Sequence, residues 1–323
     1  MMRLSGKNNP IAQWMSLFRL PNLAIIALTQ YLLGYGIIRP VLNMQNVDPP
    51  LDHLHFFILA MVSLLIAAAG YLINDHFDVN TDRRNKPGRN MLEGKISVRK
   101  ALNVYYTLNI LAIAAGFYLA YVAGSYQLGL IFPAIIGLLW FYSSRYQRMA
   151  FWGNFIIALL SSMVILIVWL FEFFMLVKSG NDFVSVISQL GGLNKYVFAY
   201  ALFAFMLSMI REVLKDIQDL KGDMATGFRT IPVVWGVGAA RAYSSILIII
   251  TIALLGFAQW FLYSKDMMMP FWYLCVAVQS LFIYLLLQVL RTKDDRAYGF
   301  LSNTAKIIML AGILSMELIY ISF

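Results

Sequence analysis

Two short stretches of the chain carry acidic residues at helical spacing. In the first stretch, Asn74, Asp78 and Asp82 recur every four residues, so on a helix they share one face, with Asp75 at its edge. Carboxylates this close repel one another unless a cation lies between them. Mg²⁺ prefers oxygen ligands and usually binds one or two carboxylates together with substrate phosphates. We name Asp75, Asp78 and Asp82 the first carboxylate row and predict that it holds a metal–diphosphate complex.

A second stretch repeats the pattern further along the chain. Asp216 and Asp219 are three residues apart, and Asp219 and Asp223 are four apart; we name these three the second carboxylate row. Gly222 and Gly227 are expected to end or bend the helix that carries this row. Two such rows facing each other could hold two or more Mg²⁺ ions around one diphosphate.

Basic residues stand close to both rows, on the same predicted side of the membrane, and are the natural ligands of phosphate oxygens. They could also stabilise charge on a departing diphosphate. The candidates are Lys86, Arg89, Arg145, Arg148, Lys215 and Arg229.

The elements that position these residues must be membrane helices. Of the 323 residues, 61% are hydrophobic and only 13% are charged, too few to cover a soluble protein of this size. Nine apolar runs are near the length of about 20 residues that crosses a bilayer. They lie at about 22–38, 54–74, 101–122, 126–142, 152–177, 195–211, 241–263, 270–290 and 304–322. The sequence therefore predicts an all-α polytopic membrane protein, with 1–323 as a single domain.

The basic residues also predict the orientation of the nine spans. With a cytoplasmic N-terminus, all but four of the 25 Lys and Arg residues fall on the cytoplasmic side; the exceptions are Arg39, Lys178, Lys195 and Lys265. The C-terminus and Glu317 are then on the opposite side. Most of the net charge of +9 is thereby explained by topology, so no nucleic-acid partner is expected. Acidic residues contribute little to topology, so orientation does not explain the two rows.

At these residues the chain resembles the UbiA superfamily of intramembrane prenyltransferases. The stretch 74–82 matches the family's NDxxDxxxD motif, and 219–223 matches its second motif, DxxxD. The stretch 85–97 resembles the family's NRPxRPxxSGxIS segment, with Lys86, Asn90 and Glu93 in place of its Arg, Pro and Ser. The stretches 142–148 and 17–22 resemble the family's basic loop and N-terminal segment.

The resemblance implies a ring of nine helices around a central cavity, closed by cytoplasmic loops. It implies an enzyme in the inner membrane of the cell that works at the cytoplasmic face. There Mg²⁺, with Mn²⁺ as a substitute, binds a polyprenyl diphosphate. Ionisation of the C–O bond gives an allylic carbocation that a lipophilic acceptor captures. The implied metal and catalytic residues are Asp78, Asp82, Asp219 and Asp223, with Asp75 and Asp216 as further metal ligands. The implied substrate-binding residues are Asn74, Lys86, Arg89, Tyr142, Arg145, Arg148, Lys215, Arg19 and Asn22. Membrane lipids are the surroundings, and no obligate protein partner is expected.

The acceptor and two rival functions stay open at this point. The stretch 211–232 resembles the branch that contains digeranylgeranylglyceryl phosphate synthase and chlorophyll synthase, which favours a prenylglycerol phosphate as acceptor. An aromatic or quinone-precursor acceptor, such as 4-hydroxybenzoate, is the alternative. A secondary transporter would carry ionisable residues near the bilayer midplane, whereas here they cluster at one end of the spans. A purely structural membrane protein is the other rival. Glu172, inside a predicted span, is a candidate for a cavity role.

Overall fold

The computed structural model describes residues 10–85, 90, 92, 96–292 and 297–322. Within these ranges, nine helices are long and apolar enough to cross a bilayer, and each contains one predicted apolar run. The all-helical membrane class and the nine spans are therefore confirmed for this part of the chain. In chain order the helices are α1 Pro10–Leu17, α2 Leu20–Asn43, α3 His53–Asn85, α4 Val98–Val122, α5 Tyr126–Ser144, α6 Trp152–Ser179, α7 Asn181–Thr226, α8 Ile231–Tyr263, α9 Met268–Arg291 and α10 Ala297–Ser322.

Two helices are much longer than a bilayer is thick. Helix α3 has 33 residues and α7 has 46, which at the usual rise gives lengths of about 50 Å and about 69 Å. The apolar core of a bilayer is only about 30 Å thick. Each helix therefore continues beyond its apolar run, and the continuation carries one carboxylate row, as the sequence predicts.

Helix α7 begins 14 residues before its predicted start at 195. Its first turns contain apolar residues spaced three or four apart, and Val186, Leu190 and Leu193 are buried. Polar residues such as Ser188 and Gln189 lie between them, so the sequence shows no continuous apolar run here. The helix forms there because one apolar face is enough to hold an amphipathic helix.

The end of α7 is set by a left-handed glycine. Gly227 has φ 75°, a conformation that few other residues adopt, and the Phe228 N–H donates to the Asp223 carbonyl over 2.9 Å. Gly222 lies inside the helix, so only Gly227 ends it. Pro232 lies in the first turn of α8, and Gly236, with φ 83° and ψ 158°, kinks that helix.

The chain divides into two compact units. The first unit contains Met1–Ala27 and His53–Gln147. In it α3 packs along α4 and against α5, and α1 also contacts α3. The buried core beneath the α3 extension contains Leu17, Ala69, Leu72, Ile73, Leu92, Ile96, Ala101 and Tyr105.

The second unit contains Leu28–Asp52 and Arg148–Phe323. Helix α7 is its centre, because α6, α8 and α10 all pack against it. Its buried core follows one face of α7 through Ile210, Val213, Leu214 and Ile217, and these four side chains are fully buried. A single domain over 1–323 and a ring around a central cavity stay predictions.

Candidate functional site

The first carboxylate row lies on the polar extension of α3 in the first unit. The helix is continuous through Asn85, so Asn74, Asp78 and Asp82 lie on one face, as predicted. These three side chains are half-buried, and Asp75 is buried. The row is therefore a preformed helical array.

Asp78 is held by two side-chain amides. The Asn74 Nδ2 donates to Asp78 Oδ2 over 3.0 Å, and the Gln147 Nε2 donates to Asp78 Oδ1. The Asn74 Nδ2 also donates to Gln147 Oε1 over 2.6 Å. The three side chains close a small hydrogen-bonded ring that fixes the plane of the carboxylate.

Asp75 is paired with a cation instead. The Arg19 guanidinium forms an ion pair with Asp75 and lies 4.9 Å from the centroid of the Tyr71 ring. Arg19 also donates to Asn74 Oδ1 over 3.5 Å. Its backbone φ of 52° is rare for a residue other than glycine, so these side-chain contacts hold Arg19 in a strained turn before α2.

Asn90 ties together the two ends of the first row. Its Nδ2 donates to the Asp75 carbonyl over 2.8 Å and to Asp82 Oδ2 over 3.0 Å, and the side chain is buried. Its Oδ1 accepts from the Leu92 N–H over 3.0 Å. The family segment described above has Pro at this position, and proline has no side-chain donor. The departure therefore supplies the bond to Asp82.

The second carboxylate row lies on the last turns of α7 in the second unit. The Asn154 Nδ2 donates to Asp216 Oδ2 over 3.0 Å, and the Thr230 hydroxyl donates to Asp223 Oδ2 over 3.2 Å. Asn154, Thr230 and Asp223 are all buried. Asp219 is half-buried on the same turns. Each end of this row is thus held by a neutral donor from outside α7.

Glu212 forms ion pairs with two basic residues of α7. It pairs with Arg211, and its Oε2 accepts from Lys215 Nζ over 3.3 Å. Glu212 is buried, so the two cations compensate a charge that is costly to bury alone. Lys215, which the sequence suggested for phosphate binding, therefore has a structural partner.

The basic loop before α6 is joined to the segment after α7. The Arg229 N–H donates to the Arg148 carbonyl over 2.9 Å, and Met149 and Arg229 form an isolated parallel bridge. The Arg148 guanidinium lies 5.1 Å from the centroid of the Phe228 ring. Arg148 and Arg229 are both exposed, so two predicted phosphate ligands lie close to the C-terminal end of the second row.

The remaining predicted residues are placed as follows. Tyr142 is half-buried and Arg145 is exposed at the end of α5 in the first unit. Asn22 is half-buried in the first turn of α2, where its N–H donates to the Arg19 carbonyl over 2.8 Å. Lys86 and Arg89 lie outside the described residues.

The sequence pattern predicts no role for four residues of the site: Asn90, Gln147, Asn154 and Thr230. Each is an uncharged polar residue that a helix spacing does not single out. Gln147 lies inside the basic loop segment 142–148, in which the charges of Arg145 and Arg148 indicate phosphate binding and the neutral amide of Gln147 indicates nothing specific. Asn90 and Gln147 are amides within stretches that resemble the family, and this is the one signal that could have singled them out.

The carboxylate oxygens of the two rows are suitable ligands for a magnesium ion bound together with phosphate. Within the described residues, no three His, Cys, Asp or Glu side chains form a group that could hold a metal. Magnesium does not need one, since it usually takes one or two carboxylates and completes its shell with water and phosphate. A carboxylate has about four acceptor positions, so amide donors and a metal ion are compatible at Asp78.

Glu172 has a structural partner within the second unit. The Leu51 N–H donates to Glu172 Oε2 over 3.2 Å, and Arg39 donates to the Leu51 carbonyl over 2.7 Å. The Glu172 side chain is fully buried. It thus ties the loop after α2 to α6, which accounts for a carboxylate inside a span.

A family model described as the UbiA prenyltransferase family matches residues 41–304. The digeranylgeranylglyceryl phosphate synthase of Saccharolobus solfataricus is 32% identical over 191 residues, which cover 59% of this chain and 60% of that protein. The protein of the same name from Methanobrevibacter smithii is 31% identical over 223 residues, covering 68% of this chain and 70% of its own length. The matched part thus spans less than two thirds of the first of these relatives.

Solved structures share the fold. A structure described as one of digeranylgeranylglyceryl phosphate synthase in membranes has a TM-score of 0.60 at 23% identity. The match covers 95% of this chain and 98% of the other chain. A UbiA homolog from Archaeoglobus fulgidus bound to GPP and Mg²⁺ has a TM-score of 0.55 at 15% identity, covering 94% and 99%. At these identities the likeness concerns the fold alone.

Proposed function

Because the chain belongs to the UbiA prenyltransferase family, we propose that it transfers a polyprenyl group from a prenyl diphosphate to a lipophilic acceptor. The same membership, together with the nine apolar helices among the described residues, makes it an integral membrane protein. The observation that carries the proposal is the pair of carboxylate rows, each preformed on a helix extension inside the matched region. A transporter or a structural protein has no need of two such arrays.

The reaction exchanges one bond for another. The C–O bond between the prenyl carbon and the diphosphate breaks, and the diphosphate leaves with the electron pair. The acceptor oxygen or carbon bonds to the prenyl carbon and loses a proton. Mg²⁺, when bound, neutralises the charge of the leaving diphosphate, and Mn²⁺ would substitute for it.

The chain's own residues bind and orient the substrate. Asp78 and Asp82 in the first row and Asp219 and Asp223 in the second supply oxygen ligands. The basic side chains, with Arg148 among those described, bind phosphate oxygens as charged donors. The apolar helices bind the prenyl tail and keep water away from the reacting carbon. Asp75 already forms an ion pair with Arg19, so we expect it to contribute less to metal binding than Asp78 and Asp82.

A prenylglycerol phosphate is the proposed acceptor. Two relatives named digeranylgeranylglyceryl phosphate synthase support it, each more than 30% identical to this chain. The structure of the A. fulgidus homolog with GPP and Mg²⁺ supports the donor class and the metal. An aromatic acceptor is a separate outcome of the test below.

The test uses the full chain purified in detergent or in lipid nanodiscs. Prenyl diphosphates of several chain lengths are offered with a prenylglycerol phosphate, with 4-hydroxybenzoate, or with no acceptor. Products are identified by mass spectrometry and released diphosphate is measured. We expect transfer to the prenylglycerol phosphate, full dependence on added Mg²⁺ or Mn²⁺, and loss of transfer on chelation.

The controls separate chemistry from folding. Asp78→Ala and Asp219→Ala should abolish product, whereas Asp182→Ala, at an exposed acid in the first turn of α7, should keep it. Transfer to 4-hydroxybenzoate alone would overturn the acceptor. Full activity of both row variants, or no consumption of any prenyl diphosphate, would overturn the function.

The rows are further proposed to face the cytoplasm, with the N-terminus on the same side. The basis is the bias of Lys and Arg along the chain. The single native cysteine, Cys275, is replaced by Ser, and one cysteine is introduced at Lys221 or at Asp266, both exposed. An impermeant maleimide should reach the first only from the cytoplasmic side and the second only from the other; the reverse pattern inverts the topology.

A further inference from the structure

Gln147 lies in the short turn Tyr146–Arg148 that follows α5, and it contacts the first row from 69 residues away in sequence. We propose that Gln147 is a positioning residue for metal binding. Its amide holds the Asp78 carboxylate and the Asn74 amide in one fixed arrangement while leaving Asp78 negatively charged. The inference rests on the proposed function only in naming Mg²⁺–diphosphate as the complex that Asp78 binds.

The hydrogen-bond directions in this network follow from its neighbours. Arg19 can only donate, so the atom of Asn74 that it contacts is the oxygen Oδ1. The Asn74 nitrogen then points to Asp78 Oδ2 and Gln147 Oε1. Gln147 accepts with its oxygen, so its nitrogen points to Asp78 Oδ1. Both amide orientations are fixed by chemistry.

This geometry requires a side chain that accepts and donates at once. Glutamine does both from one planar group, and it reaches Asn74 and Asp78 together. A glutamate would accept from Asn74 but repel Asp78. A lysine could donate to Asp78 but would neutralise the charge that attracts a divalent cation. An apolar side chain would leave the orientation of the carboxylate unfixed.

Fixing the carboxylate matters because magnesium demands near-ideal octahedral geometry. A ligand held in one plane offers its lone pairs in a defined direction. Side chains that orient metal ligands in this way typically change metal affinity about 10–100-fold when they are removed. Gln147 is half-buried, and its two partners Asn74 and Asp78 lie on α3. Of these two only Asp78 is a charged ligand for the metal, so the effect of Gln147 on metal binding should pass through Asp78.

The experiment measures metal binding without turnover. The full chain in detergent is titrated with Mn²⁺ in the presence of inorganic pyrophosphate, and bound Mn²⁺ is followed by electron paramagnetic resonance. The variants are Gln147→Met, which keeps the length without hydrogen bonds, and Gln147→Lys, which adds a charge. Gln127→Met, at an exposed glutamine of the same unit, is the matched control.

We expect Gln147→Met to weaken Mn²⁺ binding about 10-fold, and Gln147→Lys to weaken it at least as much. The Mg²⁺ concentration for half-maximal activity should rise in parallel, and Gln127→Met should bind as the wild type does. In an Asp78→Asn background, Gln147→Met should cause no further loss, because the effect passes through Asp78. Unchanged Mn²⁺ affinity in both Gln147 variants, or a fully additive loss in the double variant, overturns the proposal.

Failure of this inference is distinguishable from failure of the proposed function. If the wild type transfers prenyl groups and Gln147→Met binds Mn²⁺ normally, only the inference fails. If no prenyl diphosphate is consumed and Mn²⁺ binding still depends on Gln147, only the proposed function fails. The thermal unfolding midpoint of each variant in detergent separates loss of positioning from loss of fold, and Gln147→Lys, which keeps a donor to Asp78, provides the second folded variant.

Discussion

In the first carboxylate row Asp75 carries an ion pair and Asp78 is held by neutral amides. On α7 the ion pairs belong to Glu212, which precedes the second row, and Asp216 of that row is held by a neutral amide. In both helices the acid nearest the apolar run takes the cation. Of the acids that follow it, Asp78, Asp82, Asp216 and Asp223 accept hydrogen bonds from uncharged groups. A neutral donor orients a carboxylate without cancelling its charge, so the acids further along each helix keep their attraction for a divalent ion.

The two rows differ in where the cation comes from. Arg19 reaches Asp75 from 56 residues away, from the turn between α1 and α2. Arg211 and Lys215 lie on α7 itself, next to Glu212. The first row thus depends on packing of the N-terminal segment, while the charge of Glu212 is compensated within one helix. Substitutions outside α3 should therefore disturb the first row more than distant substitutions disturb Glu212.

The largest expected effect tests whether the cation-paired acid and the amide-held acid have different roles. Asp78→Asn should lower transfer at least about 100-fold, equivalent to about 2.7 kcal/mol of lost transition-state stabilisation, because it removes a charged metal ligand. Asp75→Asn should lower transfer by less, since Asp75 is engaged by Arg19. Initial rates at saturating Mg²⁺ measure both.

Equal losses in the two variants would break the comparison, because Asp75 would then bind metal as directly as Asp78. Asp48→Asn, at an exposed acid in the loop after α2, serves as the control and should retain full activity. Membrane insertion and detergent extraction of all three variants are compared with the wild type.

A smaller effect is expected where a neutral donor is removed from the second row. Asn154→Leu leaves the Asp216 carboxylate without the amide that now donates over 3.0 Å. Loss of a hydrogen bond to this half-buried carboxylate costs about 1–3 kcal/mol, so the unfolding midpoint in detergent should fall. The double variant Asn154→Leu/Asp216→Leu should recover much of that loss, because both polar groups are gone. If the loss of stability in the double variant exceeds the sum of the losses in the two single variants, the amide does not act through Asp216.

The sequence predicts the rows well and their partners poorly, for a physical reason. Helical periodicity alone places Asp78 and Asp82 on one face, and apolar length alone predicts the spans. The contacts of Gln147 with Asp78 and of Asn154 with Asp216 join residues 69 and 62 positions apart, and only the folded packing brings them together. The apolar-run criterion does not predict the early start of α7, because polar residues between Val186 and Leu193 interrupt the run.

Thr230→Val probes the weakest neutral donor of the second row. The variant keeps the volume of the side chain and removes the hydroxyl that donates to Asp223 over 3.2 Å. The expected cost is about 0.5–1.5 kcal/mol, with a rise in the Mg²⁺ concentration for half-maximal activity. Thr251→Val is the matched control, because its buried hydroxyl donates to the Leu247 carbonyl in its own helix. It should lower stability without changing the Mg²⁺ dependence, and an equal shift in both variants argues against a role for Thr230 at the site.

The smallest effect separates the two sources of cation. Arg19→Met and Lys215→Met each remove a partly exposed partner, with side-chain exposures of 37% and 41%. Exposed ion pairs contribute about 0.2–1 kcal/mol and are weakened by salt. Arg19→Met should lower the unfolding midpoint more than Lys215→Met, because Arg19 also contacts Tyr71 and Asn74, while Glu212 keeps Arg211. The part of each loss in stability that disappears at high salt comes from the ion pair. The part of the Arg19→Met loss that remains at high salt comes from the packing of the Arg19 side chain. A larger loss for Lys215→Met would mean that Glu212 relies on its cation more than Asp75 relies on Arg19.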